Sequence, residues 1–407
     1  MTQRVAHFDL DSFFVAVERL ENPSLIGKPI LVGWLGPRGV VTSASYEARQ
    51  FGCRSAQPME VALKLCPSAI SVEPRIDLYR RISERFHKKL REYTSVVESM
   101  SIDEAFVDFS DFQSSEKELQ LIETIRRAIK TEIGLVVSAG LANSKTAAKI
   151  GSALAKPDGL IVVPPGDDAV FMKDLAIKKL PSVGPVLEKS LREIGFETIG
   201  DVAKSDKRFL RMRFGRIGES IFDKARGLDF AKVESRRRER KSISRETTFP
   251  QDVSDVSVLS SKLQILSEAI SSDISRESRS ARTIGIKIRW ADFVINNRQT
   301  SVAIPLTSSS DIYKIVEIVE SLFEEMNKSH HTIEYIPAQL MAYKNLHEIN
   351  VKIKEELEGL KENIELSKEY WFTYFRTAPY HENLVNLKRY KKILDSRLEL
   401  VFRLQNV

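Results

Sequence analysis

Val5-Ala6-His7-Phe8-Asp9-Leu10-Asp11-Ser12-Phe13-Phe14-Val15-Ala16-Val17-Glu18 is the stretch whose reading decides the fold. Val5, Phe8 and Leu10 alternate loosely with His7 and Asp9, the period of a half-buried strand over 4–10. From 12 to 20 the pattern turns helical. Asp9 therefore stands at the end of a strand that runs straight into a helix.

A second acidic cluster, Ser101-Ile102-Asp103-Glu104-Ala105, sits in the turn of a hairpin whose arms are 96–100 and 105–109. A hairpin turn and an adjacent strand can bring the two clusters together. Three converging carboxylates repel one another, and hard divalent cations such as Mg²⁺ relieve that repulsion with oxygen ligands. Two such ions can hold the attacking and leaving oxygens of a phosphoryl displacement. On spacing alone, an Asp at a strand end is usually a turn residue.

Around these clusters the chain reads as strands near 29–33 and 39–45, short helices at 46–50 and 58–65, and a long amphipathic helix at 76–93. A helix at 116–133, a strand at 134–141, a helix at 144–155 and a strand at 160–163 follow the hairpin. That order predicts an α+β sheet with helices on one side. From Pro164-Pro165-Gly166 to about 230 only short helices are expected. The segment from Lys232 to Arg245 carries seven Lys or Arg and two Glu without apolar periodicity, so it reads as an exposed basic linker. A second α/β unit follows, with strands near 242–249, 281–291, 298–306 and 333–342 and helices near 256–274 and 311–327. At 346–407 a charged amphipathic helix is expected.

The bulk composition admits this reading. The chain has 407 residues, 42% hydrophobic and 29% charged, with 62 Lys plus Arg against 56 Asp plus Glu. That length suits several domains. The net charge of +6 is compatible with an anionic partner without demanding one. Cys53 and Cys66 fit no zinc spacing and are expected to be reduced thiols. No apolar run approaches a membrane span and no signal peptide is read at the start, so a cytoplasmic, nucleoid-associated protein is expected. A P-loop is absent, so triphosphate binding would be of another kind.

Four motifs stand in order: the opening stretch; Thr42-Ser43-Ala44-Ser45-Tyr46-Glu47-Ala48-Arg49; Ser101-Ile102-Asp103-Glu104-Ala105-Phe106; and Ser144-Lys145 followed by Ala147-Ala148-Lys149-Ile150-Gly151-Ser152, leading into Ala155-Lys156-Pro157-Asp158-Gly159. Together they resemble the Y-family translesion DNA polymerases, the DinB branch most closely, over about residues 1–343. The resemblance implies a right-handed α+β multidomain polymerase: a ferredoxin-like palm (1–10 and 75–163), small fingers (11–74), a helical thumb (164–230), a basic linker (231–241) and an α/β little finger (242–345). It implies a low-fidelity enzyme that takes dNTPs and primer–template DNA, works as a monomer and uses two Mg²⁺ ions. By the same resemblance Asp9, Asp103, Glu104 and the Leu10 carbonyl would be metal ligands. Phe13, Ser43, Tyr46, Arg49 and Lys156 would meet the nucleotide, and Phe14 would be the steric gate under its sugar. Asp11 is not among the implied ligands, and His7 reads as a packed strand residue. Two rivals are a nucleotidyl cyclase, which shares a palm-like sheet, and a non-catalytic DNA-binding relative.

The DNA-holding parts are read from a helix–turn–helix at 177–187 and a basic strand. Pro185 suits the first turn of its helix, and free amides at such a start can take a phosphate beside Ser182 and Gly184. The family usually has Gly where Ser182 stands. Arg282, Lys287 and Arg289 alternate with apolar residues, and Arg236, Arg237, Arg238, Arg240 and Lys241 lie in the linker. In the last expected strand Glu334, Tyr335 and Gln339 stand where relatives often carry Arg. Leu398, Leu400 and Phe402 loosely resemble a sliding-clamp-binding peptide, with the end of a buried helix as the alternative. Phosphate contacts release counterions, so DNA affinity should fall steeply with salt. Replacing Arg236, Arg237 and Arg238 together by Ala should lower the slope of log affinity against log salt, measured by fluorescence anisotropy; an unchanged slope would make the linker only a tether.

Overall fold

The computed structural model describes residues 3–316 apart from 113, 230, 236–239, 254 and 291–292. In chain order the first elements are β1 (Val5–Leu10), α1 (Phe13–Glu21), β2 (Ile30–Gly33), β3 (Val41–Ala44), α2 (Tyr46–Gln50), α3 (Met59–Leu65), β4 (Ile70–Val72) and α4 (Ile76–Tyr93). Next come β5 (Val97–Ser99), β6 (Glu104–Asp108), α5 (Ser115–Ala128), β7 (Val137–Ala142), α6 (Lys145–Ala155) and β8 (Leu160–Val162).

β1 is the middle strand of a sheet ordered β5-β6-β1-β7-β8. It runs antiparallel to β6, with Asp9 opposite Glu104, and antiparallel to β7, with Asp9 opposite Ser138. β8 returns parallel to β7 after α6, the crossover that a parallel pair requires. Period-two alternation divides the sheet into two faces. Ala6, Phe8 and Leu10, with Val107 and Leu141, bury against Phe86 and Leu90 of α4 and Ile122 and Ile125 of α5. Each such large side chain contributes about 1.5–3 kcal/mol. Val5 and Phe106 bury on the opposite side, with Ala147, Ala148 and Ile150 of α6. Helices thus cover both faces, not the one side expected from element order, because α6 is the crossover between parallel strands and must lie over the sheet it rejoins.

β2 pairs with β3 and with β4, forming a small separate sheet around Leu31, Val41, Ala48 and Met59. β4 escaped the sequence reading because three residues are too short to show a period. Cys53 and Cys66 are buried and unpaired here.

Past β8 the chain is helical: α7 (Asp168–Met172), α8 (Pro185–Arg192), α9 (Ile199–Lys204) and α10 (Lys207–Ala225). A capping box of Thr198 and Asp201 starts α9. Then come α11 (Val256–Arg276) and the antiparallel pair β9 (Ala281–Arg289) and β10 (Ile295–Leu306). The expected strand near 242–249 is not formed. Among the described residues no edge pairs with this segment, which is irregular and tied to α11 by Arg245 on Asp273, and a strand exists only where an edge pairs with it. The helix expected at 116–133 ends as a π turn over Ile129–Ile133. The strand near 333–342, with Glu334, Tyr335 and Gln339, and the tail at 346–407 lie outside the described residues. Among the described residues, no helix is long and apolar enough to cross a membrane.

Gly140 of β7, opposite His7, sets how closely α6 approaches. A Cβ there would stand 2.2 Å from the Ala148 carbonyl oxygen and 2.5 Å from the Ser152 amide nitrogen, both backbone. Gly140→Ala should therefore destabilise the protein by about 1–3 kcal/mol through overpacking. Denaturant unfolding checks this, and wild-type stability in the variant would remove the close-packing account.

Candidate active site

The site lies where β1 and β6 end. Asp9 is the last but one residue of β1, and Glu104 is the first of β6 and its direct partner. Ligand atoms of His7, Asp9 and Glu104 all lie within 4.8 Å of one another. Asp103 is not in that group. Its carboxylate is taken by the Ser101 hydroxyl, although its carbonyl accepts from the Leu10 amide at 2.9 Å.

α6 answers these acids with a basic stripe. Lys145, Lys149 and Ser152 follow one another at steps of four and three residues on one face of α6, and Lys156 is the extended residue that caps its C-terminus. Lys145 pairs with Glu98. Lys149 Nζ lies 2.5 Å from Glu104 Oε2, and Lys156 Nζ lies 2.5 Å from Asp9 Oδ1 and 3.4 Å from the Leu10 carbonyl oxygen. One ammonium thus bridges two of the oxygens expected to hold a metal. Burial pushes the Asp9 carboxyl up, outweighing Lys156. The His7 imidazole, 3.5 Å away, reinforced by Lys149, holds Glu104 down at about 2.

Asp11 plays a different part. Both its oxygens accept from the Ser138 hydroxyl at 3.0 Å, and Oδ2 accepts from the Asp158 amide at 2.7 Å, tying β1 to β7 and to the turn after α6. Ser12 takes a left-handed φ of 43° as the chain enters α1. The hydroxyls of Ser12 and Tyr46 are buried with no hydrogen-bond partner among the described residues. Buried polar atoms are normally satisfied, so this pair is open to a ligand oxygen. Burial, with Asp11 close by, raises the Tyr46 phenol to about 12, so it stays a protonated donor. The Arg49 guanidinium lies 4.8 Å over the Tyr46 ring and donates to the Ala44 carbonyl at 3.0 Å. Ser43 is buried on β3.

Of the two phenylalanines, Phe13 is in the core at 3% exposure, so only its backbone can meet a nucleotide. Phe14 is half-buried and stacks on Tyr79, centroids 4.2 Å apart and planes 15° from parallel. The Tyr79 hydroxyl donates to buried Glu18 at 2.6 Å, which also accepts from Arg75 at 3.0 and 2.6 Å. Sequence reasoning missed Glu18, Tyr79 and Arg75. A signal was there: Glu18 sits four residues after Phe14, on the same helical face, where a carboxylate demands a partner.

Among the expected DNA-binding residues, the structure separates faces. Ile284 and Ile286 are buried, while Lys287 and Arg289 alternate outward with Thr283, whose hydroxyl meets that of Ser301 at 2.9 Å. Arg282 is exposed but belongs to the other register of the strand. Lys241 is exposed, and Arg240 pairs with Glu277 at 3.0 Å. Arg236, Arg237, Arg238, Leu398, Leu400 and Phe402 lie outside the described residues. The first helix expected near 177 is only a 3₁₀ turn, Ile177–Lys179. Pro185 does open α8, with Gly184 as its N-cap.

Comparison with known proteins bears on the same segments. Residues 8–153 match the impB/mucB/samB family and 240–344 its C-terminal domain, while 178–229 match the thumb domain described for DNA polymerase-iota. The chain is 40% identical over 314 residues to DNA polymerase IV of Dehalococcoides mccartyi (strain CBDB1), covering 77% of this chain and 80% of that protein. It is 34% identical over 344 residues to DNA polymerase IV 2 of Agrobacterium fabrum, covering 84% and 95%. Among solved structures, a Y-family DNA polymerase chimera of Dbh and Dpo4 superposes with a TM-score of 0.74 at 27% identity, covering 80% of this chain and 95% of the chimera. An insertion ternary complex of Dbh DNA polymerase gives 0.57 at 27% identity, covering 78% and 92%.

Ser182 holds a φ of 81° in the turn before α8, and its hydroxyl accepts from Lys224 at 3.3 Å. A side chain in the left-handed region costs about 1–2 kcal/mol that Gly avoids. Ser182→Gly should raise the unfolding free energy by about 1 kcal/mol, net of the lost contact; a drop in denaturant midpoint would mean that the Lys224 contact outweighs the backbone strain.

Proposed function

The chain belongs to the impB/mucB/samB family of Y-family DNA polymerases, and from that premise we propose how its own residues carry out template-directed, low-fidelity DNA synthesis in translesion bypass. The reaction joins the primer 3′-oxygen to the α-phosphorus of a dNTP and releases pyrophosphate. The observation that carries the reading is the pairing of Asp9 with Glu104 at the sheet end, beside the Leu10 carbonyl and within reach of Lys149 of α6 and Lys156 at its C-cap. The match of 178–229 and 240–344 to polymerase thumb and C-terminal domains disfavours the cyclase, and the retained carboxylates disfavour a non-catalytic relative.

The donor set fits a hard divalent cation: carboxylate oxygens of Asp9 and Glu104, the Leu10 carbonyl, and Asp103 once it turns from Ser101. When bound, such ions neutralise the transferring group and make the attacking hydroxyl easier to deprotonate; we take them to be two Mg²⁺. Lys156 would exchange Asp9 for a phosphate oxygen of the incoming triphosphate. Arg49 and the protonated Tyr46 phenol would donate to the same group, beside the unsatisfied Ser12 hydroxyl. Phe14, backed by Tyr79, would occupy the space a 2′-hydroxyl needs. The ranges 1–10 and 75–163 would act as palm, 11–74 as fingers, 164–230 as thumb and 242–345 as little finger. Short fingers leave the nascent base pair loosely enclosed, in keeping with damage tolerance. Lys287 and Arg289 present an outward basic face suited to phosphates. The protein would work in the cytoplasm at the nucleoid. The clamp-binding reading of Leu398, Leu400 and Phe402 rests on their sequence.

Two measurements test this reading. In single-turnover primer extension, Glu104→Ala should lose roughly a thousandfold or more in rate, about 4 kcal/mol of barrier, while still binding primer–template. Near-normal extension would remove the metal assignment. Phe14→Ala should raise ribonucleotide incorporation sharply while dNTP incorporation falls less, since discrimination by clash disappears with the ring. If the variant rejects ribonucleotides as wild type does, Phe14 is not the gate.

A further inference from the structure

Behind Glu104 lies a buried group that the reaction does not use. His7 is fully buried in β1, with its ring 4.6 Å from Phe106. Nδ1 lies 2.6 Å from Ser152 Oγ of α6. Nε2 faces Glu104 Oε2 at 3.5 Å and has no hydrogen bond of its own among the described residues. A phenylalanine would pack there as well without the cost of burying two ring nitrogens. The imidazole therefore asks for a reason.

Proton placement supplies one. Which nitrogen of a neutral imidazole carries the proton is set by the partner of the other. With the proton on Nδ1, a bare Nε2 lone pair would point at a carboxylate, which is repulsive. With the proton on Nε2, that nitrogen donates toward Glu104, and Nδ1 accepts from the Ser152 hydroxyl. The hydroxyl has a competing acceptor in the Lys149 carbonyl at 2.9 Å, but inside a helix that carbonyl is already served by the amide four residues on. The Nε2–H arrangement is the one that leaves every atom with a suitable partner. Lys149 and His7 then both converge on Oε2, and among the described residues no donor reaches Oε1.

We infer that His7 and Ser152 are positioning residues for Glu104: a buried Ser152–His7–Glu104 relay pins one carboxylate oxygen from behind and turns the other toward the cation site. The inference rests on the proposed role of Glu104 as a metal ligand. Hydrogen-bond partners behind metal ligands typically account for roughly 10- to 100-fold in metal affinity.

The test uses the full-length protein without nucleotide or DNA, with Mn²⁺ as probe and binding read by electron paramagnetic resonance. His7→Phe keeps the ring packing and removes both nitrogens, and should weaken Mn²⁺ binding roughly 10- to 100-fold. Ser152→Ala should weaken it in the same direction. His7→Gln restores an N–H near the position of Nε2 and should recover most of the loss. In primer extension, the Mg²⁺ concentration giving half-maximal rate should rise for His7→Phe and Ser152→Ala and return for His7→Gln, with primer–template affinity unchanged. Wild-type Mn²⁺ affinity in His7→Phe, or His7→Gln no better than His7→Phe, would overturn the relay. Should His7→Phe fail to fold, Ser152→Ala decides alone, wild-type affinity overturning the relay. Glu104→Ala serves as the reference. If it binds Mn²⁺ like wild type, the cation-site reading itself fails; if it loses binding while His7→Phe and Ser152→Ala do not, only the relay falls.

Discussion

Everything at this site depends on how closely α6 lies on the sheet. Asp9 and Glu104 are neighbours because β1 and β6 are paired, and two carboxylates so close repel one another. Lys149 and Lys156 relieve that repulsion, and they can reach because Gly140 lets the backbone of α6 settle onto β7. A side chain at Gly140 would lift the helix and with it the lysine stripe. One absent Cβ in the middle of the sheet thus governs charge balance at its end.

The same arrangement suggests how the site would change on substrate binding. In this structure the negative charge of the acids is met by lysine ammonium groups. On the proposed reading, divalent cations would take over Asp9, Glu104 and the Leu10 carbonyl. They would release Lys156 toward a triphosphate that itself brings negative charge. Lysine suits such an exchange, since its ammonium is a compact point charge on a flexible stem. Asp11 accepts from Ser138 and the Asp158 amide and lies 3.8 Å from Lys156 Nζ. Its work is to hold the turn from which Lys156 projects.

Much of this was legible in the sequence, and the reasons for the failures are physical. The strand at 4–10 followed from a loose alternation, although Val5 buries on the face opposite Phe8 and Leu10, and the helices at 12–20 and 76–93 followed from helical spacing. That the two acidic clusters could meet was readable from the hairpin and an adjacent strand, whereas the register that opposes Asp9 to Glu104 came from the structure. The second helical face of the sheet was missed because element order does not say which side a crossover takes. The support behind Phe14 was missed because Glu18, Tyr79 and Arg75 meet only in space. Phe13 shows the opposite limit: motif position marked it, but its side chain is core. The stripe Lys145, Lys149 and Ser152 was visible as spacing, yet its meaning required knowing what the helix faces.

The most direct test of this account is the distance from Lys156 Nζ to Asp9 Oδ1 in a crystal structure with primer–template, an incoming dNTP and a divalent cation. It is 2.5 Å in this structure. The account predicts that this contact opens beyond hydrogen-bonding distance, with the cation on Asp9 and Lys156 on a phosphate oxygen. A complex in which Lys156 stays on Asp9 while the cation and triphosphate sit elsewhere would contradict it.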